Sequence, residues 1–175
     1  MTSTSTTTGP ESYETTLARG GDRFLVGVLA ALFAISCGLA PWHDTWAEVF
    51  AIGAPALAVS AWLTYAQPGT LLTRCTIAVA LMVFAALQIH QAHGMLEMHF
   101  AVFVLLAFVL VYRDWRPIVV AAGAIAVHHL AFDLMQRAGQ PVWVFANDGG
   151  FGIVLVHAAY VVFETAVLVA LAVRP

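Results

Sequence analysis

Four residues that can bind a metal ion or carry a proton crowd into one short stretch, LQIHQAHGMLEMHF. His90 and His93 are three positions apart, so they share one face of a helix. Gly94 predicts that this helix ends there, and Glu97 and His99 then begin the next one. A tight turn between two antiparallel helices would bring all four side chains to the same level. The stretch therefore predicts a site rich in imidazole.

The same types of side chain recur at helical spacing in two later apolar segments: His128, His129 and Asp133 in one, His157, Tyr160 and Glu164 in the other. Adjacent residues of a helix point about 100° apart, so at least one histidine of the first pair must face the interior of a bundle and find a partner there. In the second segment, spacings of three and four place the three polar groups on one stripe. Helical hairpins can therefore aim these groups at one another.

We predict a metal site whose candidate ligands are six histidines and one glutamate: His90, His93, Glu97, His99, His128, His129 and His157. One metal ion needs about four to six of them, and two ions that share the site would need about seven. Behind them, two carboxylates and a phenol would orient the imidazole rings by hydrogen bonding: Asp133, Glu164 and Tyr160. Histidine with carboxylate suits copper, zinc or iron. Sulfur side chains in the same half of the molecule favour copper: Met95, Met98, Met135 and Cys37. His43, beside Asp44, is interpreted as an ordinary loop histidine.

Three other uses of the histidines stay open. Two rings at one depth on facing helices could hold haem b, which would be bound non-covalently because the sequence has no CxxCH motif. Histidine also titrates near neutral pH and could sense or relay protons. The simplest alternative is a set of separate interfacial side chains, each hydrogen-bonded to a neighbouring helix or to lipid headgroups.

The elements that must position these residues are apolar helices. Of the 175 residues, 61% are hydrophobic and 10% are charged, with a mean hydropathy of +0.87, which is typical of a membrane protein. A net charge of -3 argues against a nucleic-acid partner. Pro55 predicts a kink in the second of the predicted spans. We predict an all-α polytopic membrane protein, a bundle of six transmembrane helices at Phe24–Ala40, Trp46–Ala66, Leu71–Ala92, Leu96–Tyr112, Pro117–Met135 and Phe151–Val173.

The basic residues predict an orientation, since all seven are arginine. With the N-terminus in the cytoplasm, six of them lie on the cytoplasmic side and only Arg137 lies outside, as the positive-inside rule requires. All seven histidines then fall in the outer half. We therefore expect a multi-pass protein of the bacterial inner (cytoplasmic) membrane with both termini cytoplasmic. Residues 1–22 are predicted to be a disordered cytoplasmic tail, and residues 23–175 the transmembrane domain.

Motifs of well-known enzyme classes are missing from the sequence, which has no HExxH, GxSxG, P-loop or dinucleotide-binding GxGxxG. No reaction is predicted on this basis. A membrane oxidoreductase that uses the histidines with haem or copper remains the alternative function.

One long run, EMHFAVFVLLAFVLVYRDWRPIVVAAGAIAVHHLAFDLMQRAG, resembles the N-terminal six-span membrane region of bacterial methyl-accepting chemotaxis proteins. The resemblance covers roughly residues 87–165 and is best at MHF, YRDWRP, HHL and HxxYVVFET. A looser similarity is to the MHYT sensor domain. The resemblance implies a sensory module whose outer site biases a cytoplasmic output, through a signalling partner or as a homo-oligomer. The small residues of 121–126 would permit close helix contacts within or between chains.

Overall fold

The computed structural model describes residues 13–146 and 150–174. These residues form six helices and no strand. The predicted all-α fold is therefore confirmed, and so is its division into six helices. They are α1 (Tyr13–His43), α2 (Trp46–Ala66), α3 (Leu71–Gln91), α4 (Leu96–Tyr112, with a 3-10 turn at Leu110–Tyr112), α5 (Trp115–Arg137) and α6 (Gly150–Ala172).

Five of the helices in the described residues are long and apolar enough to cross a membrane, and α4 is shorter. The structure differs from the predicted domain boundary at the start of α1, which begins at Tyr13 and not after residue 22. Asp22 is fully buried, and its carboxylate accepts hydrogen bonds from the Gly69 N–H (2.6 Å) and the Tyr112 hydroxyl (2.9 Å). These contacts hold residues 13–22 in the bundle. Residues 1–12 of the predicted tail lie outside the described residues.

The core is built around α3. In its most apolar stretch 67% of the residues are buried, compared with 11% in α6. Leu81 and Phe84 of α3 are fully buried and belong to one core with Leu29 of α1 and Ile118 of α5. Burial of each such side chain stabilises the fold by about 1.5–3 kcal/mol. Ala121 also belongs to this core, so part of the small-residue segment serves packing within the chain.

Two buried glutamines of α3 bind it to α1. The Gln88 amide Nε2 lies 3.2 Å from the Leu32 carbonyl oxygen and 3.3 Å from the Ser36 hydroxyl, to which it donates. The Gln91 amide donates to the Ser36 carbonyl (3.0 Å) and to the Thr45 hydroxyl (2.9 Å). Because buried polar groups need such partners, the two side chains fix the height of α3 against α1. This axial position of α3 places the end of α1 beside the turn that follows α3.

The predicted irregularity at Pro55 takes the form of a π-helical segment. Val49–Gly53 is π-helical and directly precedes the regular part of α2, Ala54–Ala66. Pro55 lies at the start of that part, where its missing N–H leaves an upstream carbonyl without its usual donor. A wider turn is one of the recognised ways in which a helix accommodates such a break.

Candidate metal site

Three histidines from three helices meet in the bundle. His99 of α4 lies 5.4 Å from His129 of α5 and 5.1 Å from His157 of α6, measured between ring centres. His129 and His157 are 6.2 Å apart. His99 is 2% exposed and His129 is 8% exposed. The predicted convergence of imidazoles from separate helices is therefore present for these three residues, which we call the histidine triad.

Each ring of the triad is oriented by its own helix. Nδ1 of His99, His129 and His157 lies 2.9–3.1 Å from the backbone carbonyl oxygen four residues earlier, at Met95, Ile125 and Ile153 respectively. A carbonyl oxygen can only accept, so Nδ1 of each ring carries a proton, and in the neutral form of the ring the lone pair is on Nε2. Nε2 of His99 is buried and has no hydrogen-bond partner in the described residues. These contacts leave Nε2 as the nitrogen through which each neutral ring could bind a metal ion.

The spacing of the triad is close to that of metal ligands. A metal ion lies about 2.0–2.1 Å from an imidazole nitrogen, so three tetrahedral ligands have ring centres roughly 5 Å apart. Two of the separations, 5.1 and 5.4 Å, match this value, and the 6.2 Å separation is wider. No three His, Cys, Asp or Glu side chains within residues 13–146 and 150–174 already surround one metal position. Metal binding would therefore require the separation between His129 and His157 to shorten.

Phe145 covers the triad. Its ring is parallel to that of His99, at 3° and 5.6 Å between ring centres, and lies 6.1 Å from His129 and 5.2 Å from His157. Only 6% of Phe145 is exposed. The phenyl ring therefore covers the three imidazoles on one side and adds an apolar wall to their surroundings.

Two residues hold Phe145 in place. The Gln136 amide donates to the Phe145 carbonyl (2.7 Å), and its carbonyl oxygen accepts from the N–H groups of Val144 (2.9 Å) and Phe145 (3.2 Å). Gly94 lies directly against the Phe145 backbone, where any Cβ at position 94 would collide with it. Gly94 also has a φ of +75°, which glycine adopts without strain. The predicted break at Gly94 is confirmed, and it makes room for Phe145.

A cavity of about 500 Å³ lies between α4, α5 and α6, with the triad among its lining residues. Its remaining walls are almost entirely apolar, with Val102 from α4, Ile125 from α5 and Val161 from α6 as examples. A ligand of the triad could therefore have an apolar part that extends along the helices.

The other predicted ligands lie apart from the triad or are engaged elsewhere. Nδ1 of His90 accepts the Trp143 backbone N–H (3.1 Å), so that ring carries its proton on Nε2. His128 lies beside His129, at 5.5 Å between ring centres, and packs on Phe132 at 4.0 Å. Glu97 is exposed in the first turn of α4.

His93 belongs to a second group of stacked rings, which contains no residue of the triad. The rings of Trp42, His43, His93 and Trp143 stack in that order, with centres 5.0, 3.6 and 4.5 Å apart. His43 also donates from Nδ1 to the Gln91 carbonyl (2.8 Å). Desolvation, followed by the neighbouring His43 and His90 rings, lowers the pKa of His93 below its usual value. We call these four residues the outer stack. It joins the ends of α1 and α3 to the 138–146 segment.

The three residues predicted to orient the ligands have different surroundings. Asp133 forms an ion pair with Arg137, with Nη2–Oδ1 at 3.0 Å and Nε–Oδ2 at 2.9 Å, although the second contact lacks hydrogen-bond geometry. Tyr160 is 64% exposed. Glu164 is half-buried, and its Oε2 has no hydrogen-bond partner in the described residues. The role predicted for these residues is taken by backbone carbonyls, which orient all three rings of the triad.

Sequence reasoning missed Phe145, Gln136 and His43. The signal for the first was the apolar pattern VWVF inside a segment otherwise read as a loop, since buried apolar residues there indicate packing. Gln136 carries no comparable signal, because a glutamine at a helix end is ordinary. His43 is predicted to be an ordinary loop histidine because it lies next to Asp44, although a histidine next to tryptophan at a helix end can stack.

Comparison with known proteins gives no relative: no family model, curated protein or solved structure matches the chain.

Proposed function

We propose that the protein is an integral membrane protein that binds one transition-metal ion through His99, His129 and His157. The observation that carries this proposal is the shared tautomer of the triad. Each Nδ1–H is used by a carbonyl of its own helix, and each Nε2 is left with a lone pair. Metal-binding histidines characteristically donate their other ring N–H in this way. Three imidazoles also leave a fourth coordination position for an external ligand.

The membrane part of the proposal is supported by the outer surface of the bundle. Large apolar side chains are exposed on several helices, with 62% of Trp62, 69% of Val127 and 70% of Phe163 accessible. Apolar surface of this extent must be shielded from water, and a lipid bilayer would shield it along helices of spanning length. We place the protein in a bacterial inner membrane, with the triad towards the periplasm and both termini in the cytoplasm, because of the arginine distribution.

Copper is the metal that we favour. Three neutral imidazoles suit copper, zinc and iron, and nitrogen ligands bind divalent copper most tightly of the first-row ions. Zinc and iron are the alternatives.

A second candidate function is haem b binding in a membrane redox protein, and the cavity is the observation that favours it. Its apolar walls and volume of about 500 Å³ suit a porphyrin-sized ligand, and histidines from three helices line it. In this alternative two of the three histidines would be axial ligands. A haem-bound protein would show a strong visible absorption band, which a zinc or copper site would not.

A sensory role is the use of the metal that we propose, in line with the resemblance of residues 87–165 to chemotaxis receptors. The ligand His157 is carried by α6, the least buried of the long helices in the described residues. A weakly packed helix that gains a metal bond to its neighbours can shift by a small distance along its whole length. Since α6 runs from the triad to Arg174 at the opposite end, this shift would reach the cytoplasmic side and a partner there.

The test is metal analysis of the purified protein in a mild detergent. We expect about one bound metal per chain by elemental analysis, no haem absorption band, and loss of at least ten-fold in affinity for Cu²⁺ when His99, His129 or His157 is replaced by Ala.

The matched control is His43→Ala, which removes a histidine at the same end but outside the triad. It should keep the metal. Equal loss in His43→Ala and His129→Ala, or a metal-free wild type that takes up neither Cu²⁺ nor Zn²⁺, would remove the metal-site proposal.

The sensory role has a separate test. Hydrogen exchange of α6 amides should slow on addition of Cu²⁺ in the wild type and should not change in His157→Ala. Metal binding without any change in α6 would leave a metal-binding protein and exclude this route of signalling.

A further inference from the structure

A polar groove lies at the end of the bundle opposite the triad. Its volume is about 730 Å³, and its lining comes from the first turns of α1, the α2–α3 turn, the start of α3, the α4–α5 turn and the end of α6. Four arginines line it, and Asp114 is the one carboxylate among its described lining residues: Arg74, Arg113, Arg116 and Arg174. The formal charge of this lining is therefore +3.

Asp114 fixes two of the arginines. Its Oδ2 lies 2.7 Å from Nη1 of Arg74 and 2.9 Å from Nη2 of Arg116, and its Oδ1 accepts from Nε (3.0 Å) and the backbone N–H (3.0 Å) of Arg116. Burial of this carboxyl opposes its ionisation, but the hydrogen bonds from Arg116 and the charges of Arg74 and Arg116 lower the pKa of Asp114. The carboxylate is therefore charged at neutral pH, and its acceptor sites are used.

The guanidinium groups keep donors for a further ligand. Each guanidinium has five N–H bonds. Arg74 uses them on Asp114 and on the Thr70 carbonyl (3.4 Å), and its head lies 6.0 Å from the centre of the Tyr112 ring. Arg116 uses two of its side-chain nitrogens on Asp114. More than half of the donors of these two positioned arginines thus have no protein acceptor in the described residues.

Arg113 and Arg174 add charge that no carboxylate in the described residues balances. Both are exposed, and Arg113 has a φ of +50° in the α4–α5 turn. Two held arginines with two exposed ones around them suit a group with several negatively charged oxygens, and phosphate is such a group.

The rest of the lining indicates where the phosphate comes from. Leu17, Ala18 and Val173 form an apolar part of the groove, and the ring of Trp115 on the same lining is 47% exposed. Tryptophan beside arginine at the end of apolar helices is typical of the headgroup level of a membrane. An anionic lipid would place its phosphate on the arginines and its glycerol and first methylenes on the apolar part.

We propose that this groove binds the phosphate group of an anionic phospholipid. The site is independent of the metal site, since it lies at the other end of the bundle and shares no residue with it. A bound phosphate would connect four parts of the bundle at that end: the first turns of α1, the α2–α3 turn, the α4–α5 turn and the end of α6.

The test compares lipids and arginine variants in purified full-length protein. Thermal unfolding is followed in neutral detergent while dioleoyl phosphatidylglycerol or dioleoyl phosphatidylcholine is added, with inorganic pyrophosphate at matched ionic strength as a soluble phosphate source. We expect phosphatidylglycerol alone to raise the unfolding temperature. Arg113→Gln with Arg174→Gln should weaken its apparent affinity about five-fold for each arginine removed. Without lipid, the unfolding temperature of this double variant should stay near that of the wild type, because neither guanidinium has a hydrogen bond or ion pair within the described residues.

Two further variants separate the possible results. Arg113→Lys with Arg174→Lys keeps both charges and should retain most of the effect. Arg137→Gln removes the arginine at the opposite end and should respond to phosphatidylglycerol like the wild type. Equal weakening in Arg137→Gln would reduce the effect to general attraction of charge, and an equal response to pyrophosphate would assign the groove to a soluble phosphate. Either result, or no response to phosphatidylglycerol, would overturn the proposal.

Discussion

The two ends of the bundle use their polar side chains in opposite ways. At the end with the triad, histidine rings contact one another and their own backbone, and Arg137 is paired with Asp133. At the end with the groove, arginines outnumber the carboxylate that they share. The first end is organised to offer lone pairs, and the second to offer N–H donors. The ligands that we propose for the two ends therefore have opposite charge, a metal cation at the triad and a lipid phosphate at the groove.

The largest effect is expected at the triad end, from Gly94→Ala. The added Cβ would collide with the Phe145 backbone, and alanine is strained at a φ of +75°. We expect a loss of about 3–5 kcal/mol in the free energy of unfolding, measured by denaturation in detergent micelles. Gly27→Ala is the control, since a Cβ there meets nothing within 4 Å. If Gly94→Ala is as stable as Gly27→Ala, Gly94 does not support the cover over the triad.

The next effect lies at the groove end and concerns the buried carboxylate of Asp22. Asp22→Ala leaves the Gly69 N–H and the Tyr112 hydroxyl without their acceptor. We expect a loss of about 2–4 kcal/mol in the same measurement, because each unsatisfied buried donor costs about 1–3 kcal/mol. Tyr112→Phe removes one of the two hydrogen bonds and should cost less. Glu97→Gln, at an exposed position, should change little. An unaffected Asp22→Ala variant would show that residues 13–22 are not held by this contact.

The outer stack should make stability depend on pH. Since the pKa of His93 is lowered in the folded protein, the unfolded chain binds the proton more readily. Stability from the neutral ring is therefore present above the unfolded value of about 6.5 and is lost as pH falls below it. We expect the stability advantage of the wild type over His93→Asn to shrink between pH 7.5 and 5.5, followed by thermal unfolding at each pH. Asparagine is chosen because it tolerates the φ of +51° at this position. A difference that is constant with pH would exclude titration of this ring.

The smallest expected change in stability comes from alanine substitutions at two neighbouring glycines of α1, which should have opposite signs. Gly20 lies in the helix with nothing within 4 Å of an added Cβ, so Gly20→Ala should stabilise the protein by about 0.5–1 kcal/mol. Gly21→Ala should destabilise it, because its Cβ would lie 2.9 Å from the Tyr112 ring. Opposite signs of the two changes in unfolding temperature would support a packed helix here. No change in either variant would favour the disordered tail that the sequence predicts.

Local patterns were enough to predict the helices, and they were enough to predict the turn at Gly94. Hydrophobic runs of spanning length and glycine or proline at their ends are short-range signals. They could not predict which histidines meet. His90 and His99 are equivalent in the sequence, but the Trp143 N–H engages the first and the Met95 carbonyl orients the second. That choice depends on how the 138–146 segment folds back.

The same limit explains the start of α1 and the cover over the triad. Residues 13–22 are polar and lack an apolar period, so the sequence favours disorder, but Asp22 finds its partners at Gly69 and Tyr112. Phe145 lies in a segment without regular structure, and its place is decided by Gln136 and Gly94. Contacts between residues distant in the chain decide these features, and a single sequence contains no direct record of them.

The shortness of α4 has a consequence for how an ion would reach the triad. The 14 α-helical residues of α4 and the three residues of its 3-10 turn together rise about 27 Å. The hydrocarbon layer of a bilayer is thicker, at about 30 Å. The chain of 138–146 fills the space beyond the start of α4, where lipid could not satisfy its peptide groups but Gln136 does. In a bilayer this side of the protein would be shorter than the hydrocarbon layer, and Phe145 would lie between the buried rings and the water nearest to the start of α4.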